Sequence, residues 1–168
     1  RESLPDDRTN AQASATDAYF LMAKIYEDLG DYQKAIEQLA LIDEPAAQHN
    51  ALIEQAALYI KLKRYTQAHA LLEQIQPEDD EQSYVRALLM NAALSRDRGE
   101  YTMGLEYIER ALKYYPNNLF IRYSQAMLFE QMGEVDKAIA LLEQILQEDP
   151  FDSESYNGLG YVLADNDL

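Results

Sequence analysis

Cysteine is absent from the 168 residues, which excludes disulfide bonds, thiolate metal sites and a cysteine nucleophile. Its absence leaves the compartment open, because a chain without thiols persists in reducing and oxidising surroundings alike. Positive charge is scarce: 14 Lys and Arg stand against 30 Asp and Glu, a formal net charge of −16. Nucleic acid and anionic lipid require clustered cations, so this balance disfavours both as partners. It favours basic proteins, or segments with an apolar face.

Long apolar runs are also missing. No stretch approaches the roughly 18 apolar residues that a membrane-spanning helix needs. Residues 1–10 are polar and do not form a signal sequence. A signal could have been removed before this sequence begins, so the location stays open. The chain itself is not expected to insert into a membrane.

Residues for catalysis or metal binding are few. His49 and His69 are the only histidines, and zinc needs three or four converging ligands. No arrangement of Ser, His and Asp places a base beside a nucleophile. Gly158-Leu159-Gly160 lacks the third glycine of a dinucleotide fingerprint and is better explained by small residues where two helices touch. The sequence therefore predicts no enzyme, no cofactor and no metal site.

A period of about 34 residues runs through the chain. Gly99 and Gly133 are 34 residues apart, and so are Pro116 and Pro150. Each glycine lies where a first helix is expected to end, because glycine takes a left-handed turn without steric cost. Lys63 stands at the corresponding place in the second repeat, which predicts a strained or differently shaped turn there.

Small residues recur in the same register on both helices of each repeat. They should let two helices approach closely, and the prolines that follow should stop the second helix because proline lacks an N–H. The small residues of the first helices are Ala23, Ala56, Ala92, Ala126 and Gly160, and those of the second helices are Ala35, Ala68, Gly104 and Ala138. The prolines are Pro45, Pro77, Pro116 and Pro150.

This pattern resembles the tetratricopeptide repeat (TPR) family. The resemblance implies an all-α fold, a right-handed superhelical solenoid of helix-turn-helix repeats that binds other proteins. Residues 1–15 would be a lead-in or the end of a preceding helix, and residues 16–168 the TPR array. Repeats would cover about 16–47, 49–80, 85–118 and 119–152, and residues 153–168 the first helix of a fifth.

The fifth repeat would place Tyr156 and Leu163 at core positions of its first helix. This helix is either a terminal cap or part of a longer protein. The second is favoured, because natural caps carry a polar outer face. We therefore expect a monomeric fragment of a longer protein.

In the TPR family the first helices line a concave groove. Carrying its positions over residue by residue implies a partner-binding groove whose apolar members lie outside the repeat's own packing pattern. The groove residues are Phe20, Lys24, Ile53, Ile60, Arg86, Leu89, Phe120, Tyr123, Met127 and Tyr161. The expected function is an adaptor or scaffold that binds an apolar peptide or helix of a protein partner. A flanking segment of a longer protein could fill the groove instead. The alternative function is structural: self-assembly or oligomerisation through the terminal repeats of a larger protein.

A weaker resemblance covers the ten residues Tyr156–Asp165. They are similar to a stretch in bacterial cell-envelope TPR lipoproteins that act as protease adaptors. This similarity implies the periplasmic side of a bacterial envelope, with the cytoplasm as the alternative.

Overall fold

The regular elements among the residues that the structure describes are α-helices. The computed structural model describes the backbone of residues 7–78 and 80–166 and the side chains from residue 15 onward within these ranges. Its helices are α1 (Asp7–Asp28), α2 (Tyr32–Leu39), α3 (Pro45–Lys61), α4 (Tyr65–Leu72), α5 (Glu81–Asp97), α6 (Tyr101–Leu112), α7 (Leu119–Gln131), α8 (Val135–Glu148) and α9 (Ser153–Asp165). The predicted all-α fold of consecutive helix pairs is confirmed. No helix in these ranges is long and apolar enough to cross a membrane.

The chain divides into two compact units, Arg1–Ala87 and Leu88–Leu168, and the division falls within α5. In the first unit α1 packs on α2, α2 on α3 and α3 on α4; in the second α6 packs on α7, α7 on α8 and α8 on α9. α1 also contacts α3, and α7 contacts α9. α1 begins at Asp7, so residues 7–15 continue the first helix of repeat one, and residues 1–6 lie outside the described residues.

The turns between paired helices have left-handed backbone. Gly30, Gly99 and Gly133 have φ angles of +78°, +75° and +78°. Nothing lies within 4 Å of a Cβ built on any of the three, so backbone conformation rather than crowding requires glycine there. Lys63 adopts the same conformation with a φ of +57°, so of the two predicted outcomes the strained turn is confirmed and the differently shaped turn is wrong.

Replacing Lys63 by glycine is expected to raise the free energy of unfolding by about 0.5–1 kcal/mol. A left-handed residue with a Cβ is strained by about 1–2 kcal/mol, and the greater entropy of glycine in the unfolded chain offsets part of the gain. Urea denaturation measures the change, with Gly133→Ala as the opposite substitution that should destabilise the protein. An unchanged or lower stability of Lys63→Gly would contradict this account of the turn.

Small residues are buried where paired helices cross. Ala23 on α1 packs with Ala35 and Leu39 on α2, and Ala126 on α7 packs with Ala138 on α8. A Cβ added to Gly104 would lie 3.3 Å from the carbonyl oxygen of Ala92 and 3.4 Å from a methyl of Leu128. The prediction that small residues allow close approach is confirmed at these crossings.

The second helices differ in length, and the role predicted for Pro45 is wrong. α2 and α4 have eight residues each, whereas α6 has 12 and α8 has 14. α2 ends at Leu39, and Pro45 is the first residue of α3. Proline is suited to that place because the first N–H groups of a helix have no partner within the helix. Pro150, in contrast, directly follows Asp149, which caps the end of α8.

Candidate functional site

The second unit contains an apolar cleft of about 280 Å³ between α5, α6 and α7. It is lined by Leu89, Met90, Ala92, Ala93 and Arg96 of α5, Ile108 of α6, and Phe120 and Ser124 of α7. The cleft is slightly smaller than the ~300–1,000 Å³ typical of small-molecule sites. Its size and lining fit a large apolar side chain.

The cleft exists because small residues alternate with large ones on the helices that face it. Ala93 follows Leu89 by one helical turn, and Ser124 follows Phe120 by one turn. Residues four positions apart lie on the same side of a helix. The space above each small residue is therefore bordered by the large side chain one turn away. The Ser124 hydroxyl donates a hydrogen bond to the Phe120 carbonyl oxygen at 2.9 Å, which satisfies its donor within the helix.

Phe120 and Leu89 are the two predicted groove residues that the cleft brings together. The Phe120 side chain is 57% exposed, and Leu89 is half-buried. Arg96 is the one charged residue in the lining. It pairs with Asp97 at 3.4 Å, a distance and exposure at which an ion pair contributes little. Its guanidinium therefore stays available to a bound segment.

Tyr123 belongs largely to the packing of the second unit. Its ring lies against α9, where a Cβ on Gly158 would come within 2.8 Å of its Cε2 atom. It packs on the core cluster around Ala126 and Leu142. Burial raises the pKa of the Tyr123 hydroxyl, and the carboxylates of Glu154 on α9 and of Asp152, the residue that caps α9, raise it further. The expectation that Tyr123 lies outside the repeat's own packing is wrong.

Met127 and Tyr161 lie outside the cleft lining. Met127 is half-buried on α7, and Tyr161 is 55% exposed on α9. No structural observation assigns either one to the cleft. Their place in a partner-binding groove stays a prediction.

In the first unit the predicted apolar groove residues are mostly covered. Ile53 is only 3% exposed, so the expectation that it lies on an accessible surface is wrong. Phe20 packs against the core of α1, α2 and α3, and Ile60 is half-buried. Of these three residues only Ile53 is withdrawn from the surface, and the place of Phe20 and Ile60 in a groove stays a prediction.

Charged groups occupy a second cleft of about 280 Å³, in the first unit. It is lined by Ala23, Lys24, Glu27, Leu39, Glu54, Ala57 and Leu58. Lys61 and Lys24 contact the Glu27 carboxylate at 2.5 Å and 3.0 Å, and their hydrogen bonds lower its pKa. Burial and the charge of Glu27 raise the pKa of Glu54.

A hydrogen-bond chain extends from this second cleft towards α5. Arg86 donates to the Asn50 side chain at 3.3 Å, and Asn50 donates to Glu54 at the same distance. The predicted groove residues Lys24 and Arg86 thus bind neighbouring side chains of their own unit. Among the described residues, no group of three or more His, Asp or Glu is arranged to hold a metal ion.

Six of the eight residues that line the apolar cleft are absent from the predicted site: Met90, Ala92, Ala93, Arg96, Ile108 and Ser124. Four of them, Met90, Ala92, Ile108 and Ser124, do not occupy the groove positions carried over from the family. Ile108 lies on a second helix, and the groove was predicted from first helices alone. Ile108 lines the same cleft as Phe120 because of the way α6 packs. The position of a residue within its repeat does not specify that packing.

Comparison with known proteins supports the repeat assignment. Two family models described as tetratricopeptide repeat match residues 16–41 and 95–159, together more than half of the chain. The TPR repeat-containing protein PA4667 of Pseudomonas aeruginosa is 24% identical over 148 residues, which cover 88% of this chain. Those residues cover 25% of PA4667, so the chain spans about a quarter of the length of this relative.

Solved structures share the fold. A tetratricopeptide repeat protein from Parabacteroides merdae has a TM-score of 0.65 and 26% identity, with 94% of this chain and 65% of that chain covered. MamA from Desulfovibrio magneticus RS-1 has a TM-score of 0.70 and 14% identity, with 91% and 86% covered. YrrB, described as a TPR protein with an unusual peptide-binding site, has a TM-score of 0.60 and 15% identity, with 89% and 76% covered. The chain therefore belongs to the tetratricopeptide repeat family, and its fold is an all-α solenoid of helix pairs.

Proposed function

We propose that the chain is an adaptor or scaffold that binds an apolar segment of a partner protein in the cleft of the second unit. The observation that carries the proposal is Phe120, a largely exposed aromatic side chain beside an apolar cleft of about 280 Å³. An exposed aromatic next to an unfilled apolar cleft is typical of a protein-binding surface. The peptide-binding site named for YrrB, which shares the fold, supports the same kind of ligand.

The bound segment would insert one apolar side chain between Leu89 and Phe120. Arg96 at the edge of the cleft offers N–H donors to a backbone carbonyl or a carboxylate of that segment. The net charge of −16 favours basic residues elsewhere on the partner. This arrangement places an apolar anchor at the centre and polar contacts at the rim, as in most protein interfaces.

Phe120→Ala is expected to weaken binding by about 1–3 kcal/mol, because aromatic anchors at a desolvated centre dominate binding energy. The ligand is an apolar peptide selected from a display library against the 168-residue protein, and calorimetry measures its affinity. Phe151→Ala is the matched control, since Phe151 is 93% exposed and lies outside the cleft. Both variants should keep their stability within about 0.5 kcal/mol. Equal affinities of the two variants would contradict the proposal.

More specifically, we propose that the chain is part of a protease adaptor in a bacterial envelope. It is supported by the resemblance of Tyr156–Asp165 alone, with the cytoplasm as the alternative location. Fractionation of cells that express the full-length protein tests it. Recovery in the cytoplasmic fraction would reject the envelope location and leave the binding proposal unchanged.

Self-assembly is a second candidate, favoured by an aliphatic stripe on α1 and the residue that directly follows it. Leu21, Ile25 and Leu29 follow one another at four-residue spacing and are 62%, 44% and 75% exposed. The charge of −16 on each copy opposes association, so we expect a monomer in sedimentation velocity at low salt. A mass that rises with concentration, and that Ile25→Lys returns to the monomer value, would favour self-assembly instead.

A further inference from the structure

The cleft of the first unit combines apolar walls with a half-buried carboxylate, and we call it the charged cleft. Its volume is about 280 Å³, and its apolar walls are formed by Ala23, Leu39, Ala57 and Leu58. The Lys24 side chain, which also lines it, is 63% exposed, so the cleft reaches the surface. A long side chain that enters it can therefore lay its methylene groups against the apolar walls while its polar end reaches a charged group.

The two lysines beside the charged cleft already have partners of opposite charge. Lys24 contacts the carboxylates of Glu27 and Asp28, both at 3.0 Å. Lys61 contacts Glu27 at 2.5 Å. An anion that entered the cleft would have to displace one of these carboxylates. The charged cleft is therefore a poor site for an anionic ligand.

Glu54 is the carboxylate of the cleft that no cation contacts. One of its oxygens accepts a hydrogen bond from the Asn50 amide at 3.3 Å, and no other group among the described residues donates to it. Arg86 donates to the Asn50 side chain and not to Glu54 itself. Burial, and after it the charge of Glu27, raise the pKa of Glu54. The Asn50 hydrogen bond and the charges of Arg86 and Lys24 do not offset that rise.

The ligand chemistry that fits the charged cleft is a guanidinium group. A cation would meet a carboxylate that still has an oxygen free to accept, whereas an anion would be repelled by that carboxylate. The guanidinium of arginine is planar and offers parallel N–H donors that match a carboxylate. It is also more weakly hydrated than the ammonium of lysine, so it loses less hydration in a half-buried site.

We propose that the charged cleft binds an arginine side chain of a partner protein, with the guanidinium on Glu54 and the methylene groups against the apolar walls. The net charge of −16 attracts basic segments to the protein as a whole, and the cleft gives one arginine of such a segment a defined place. The proposal goes beyond the function proposed above. It concerns the first unit and holds whether or not the apolar cleft binds a ligand.

The probe is the capped peptide Ac-Ala-Ala-Arg-Ala-Ala-amide, and its matched control carries citrulline, the uncharged isostere of arginine, at the same place. Nuclear magnetic resonance of alanine methyl groups labelled with carbon-13 in the protein follows the titration, because Ala23 and Ala57 line the cleft. The Ala57 methyl signal is expected to shift with the arginine peptide. The citrulline peptide should bind about fivefold more weakly or less tightly still, since hydrogen bonds between charged groups are the stronger ones.

Glu54→Gln is expected to weaken binding of the arginine peptide about fivefold or more, because glutamine keeps the shape of the side chain and removes its charge. Glu37→Gln is the matched control, since Glu37 is exposed on α2 and lies outside the lining. It removes the same charge and should change the affinity by less than about twofold. Ala57→Leu narrows the cleft without altering its charge and should also weaken binding.

Binding of the arginine peptide should depend on pH through Glu54. The affinity is full above the pKa of Glu54 and falls as the pH is lowered through it, because the protonated carboxyl no longer attracts a guanidinium. This pKa lies above the ordinary value of 4.5, so the loss should begin at a higher pH than for an exposed glutamate. Glu27 stays ionised in that range, because Lys61 and Lys24 lower its pKa, and Arg86 and Lys24 keep their charge. Glu54→Gln should remove most of the dependence.

Three results would overturn the proposal. The first is equal binding of the arginine and citrulline peptides. The second is equal affinity of Glu54→Gln and Glu37→Gln for the arginine peptide, which would mean that the acidic surface attracts the peptide without a defined site. The third is equally tight binding of a peptide with lysine in place of arginine, which would show that the cleft does not recognise a guanidinium. Phe120→Ala should leave binding of the arginine peptide unchanged, so failure of the apolar cleft and failure of the charged cleft are distinguishable.

Discussion

Replacing Leu142 by alanine is expected to lower the free energy of unfolding by about 2–5 kcal/mol. Leu142 is fully buried on α8, in a cluster with Ala126, Ala138 and Val162 from three successive helices. The substitution removes three carbon atoms and leaves a cavity, because neighbouring helices relax only in part. Urea denaturation followed by circular dichroism measures the loss as a lower midpoint with an unchanged slope.

Leu21→Ala is the matched control, because Leu21 is 62% exposed on α1. The same chemical change at an exposed site should alter stability by no more than about 0.5 kcal/mol. If the two variants lost equal stability, the α7–α8–α9 packing described for the second unit would be incorrect. A third variant, Phe120→Ala, should change stability as little as Leu21→Ala does. That result would show that Phe120 belongs to the cleft and not to the packed core.

Gly158→Ala is expected to destabilise the protein by up to about 2 kcal/mol, because overpacking costs about 1–3 kcal/mol and the helix propensity of alanine offsets about 1 kcal/mol of that cost. A Cβ at this position would lie 2.8 Å from the Cε2 atom of Tyr123, a distance at which the ring or the helix must shift. The shift would loosen α9 against α7. Chemical denaturation measures the loss, and near-ultraviolet circular dichroism reports the change around the Tyr123 ring.

Gly160→Ala makes the same chemical change half a turn away on the same helix. It should be neutral or stabilise the protein by up to about 1 kcal/mol, because alanine favours a helix and nothing lies near its Cβ. Combining Gly158→Ala with Tyr123→Ala should cost less than the sum of the two changes, since Tyr123→Ala removes the ring that the added methyl group would meet. Additive losses would mean that Gly158 and Tyr123 do not touch.

The repeat features that depend on local chemistry could be predicted from the sequence. Glycine is the residue favoured in a left-handed turn. The 34-residue period therefore predicted the turns at Gly99 and Gly133 and the strain at Lys63. The crossings also followed, because only a small residue such as Ala126 or Ala138 allows two helices to approach closely. Predicting each of these features requires only the position of a residue within its own repeat.

The exposure of particular side chains could not be predicted in this way. Repeat position tells which side of a helix a residue occupies, but burial depends on which neighbouring helix covers that side. Ile53 is buried and Tyr123 packs on α9, although both occupy groove positions. Tyr156 occupies a core position and is exposed, because no described helix covers it.

The two clefts differ in chemistry although both lie beside first helices. In the first unit, Glu27 and Lys61 are one repeat apart and neutralise each other, and Glu54 is the carboxylate whose pKa is raised by burial. In the second unit the corresponding surface is apolar, with Arg96 at its edge. This difference in chemistry is why we propose that the apolar segment of a partner binds in the second unit, between Leu89 and Phe120.

The most direct test of this claim is methyl nuclear magnetic resonance of the five methionines, labelled with carbon-13 and titrated with the display-selected apolar peptide. Met90 lines the cleft, whereas Met22 lies in the first unit and Met103 is an exposed residue of α6 outside the lining. If the peptide binds between Leu89 and Phe120, the Met90 methyl signal shifts with the bound fraction, Met22 and Met103 stay in place, and Phe120→Ala moves the same shift to peptide concentrations about fivefold higher or more. A shift of Met22 or Met103 with Met90 unchanged would contradict binding in this cleft.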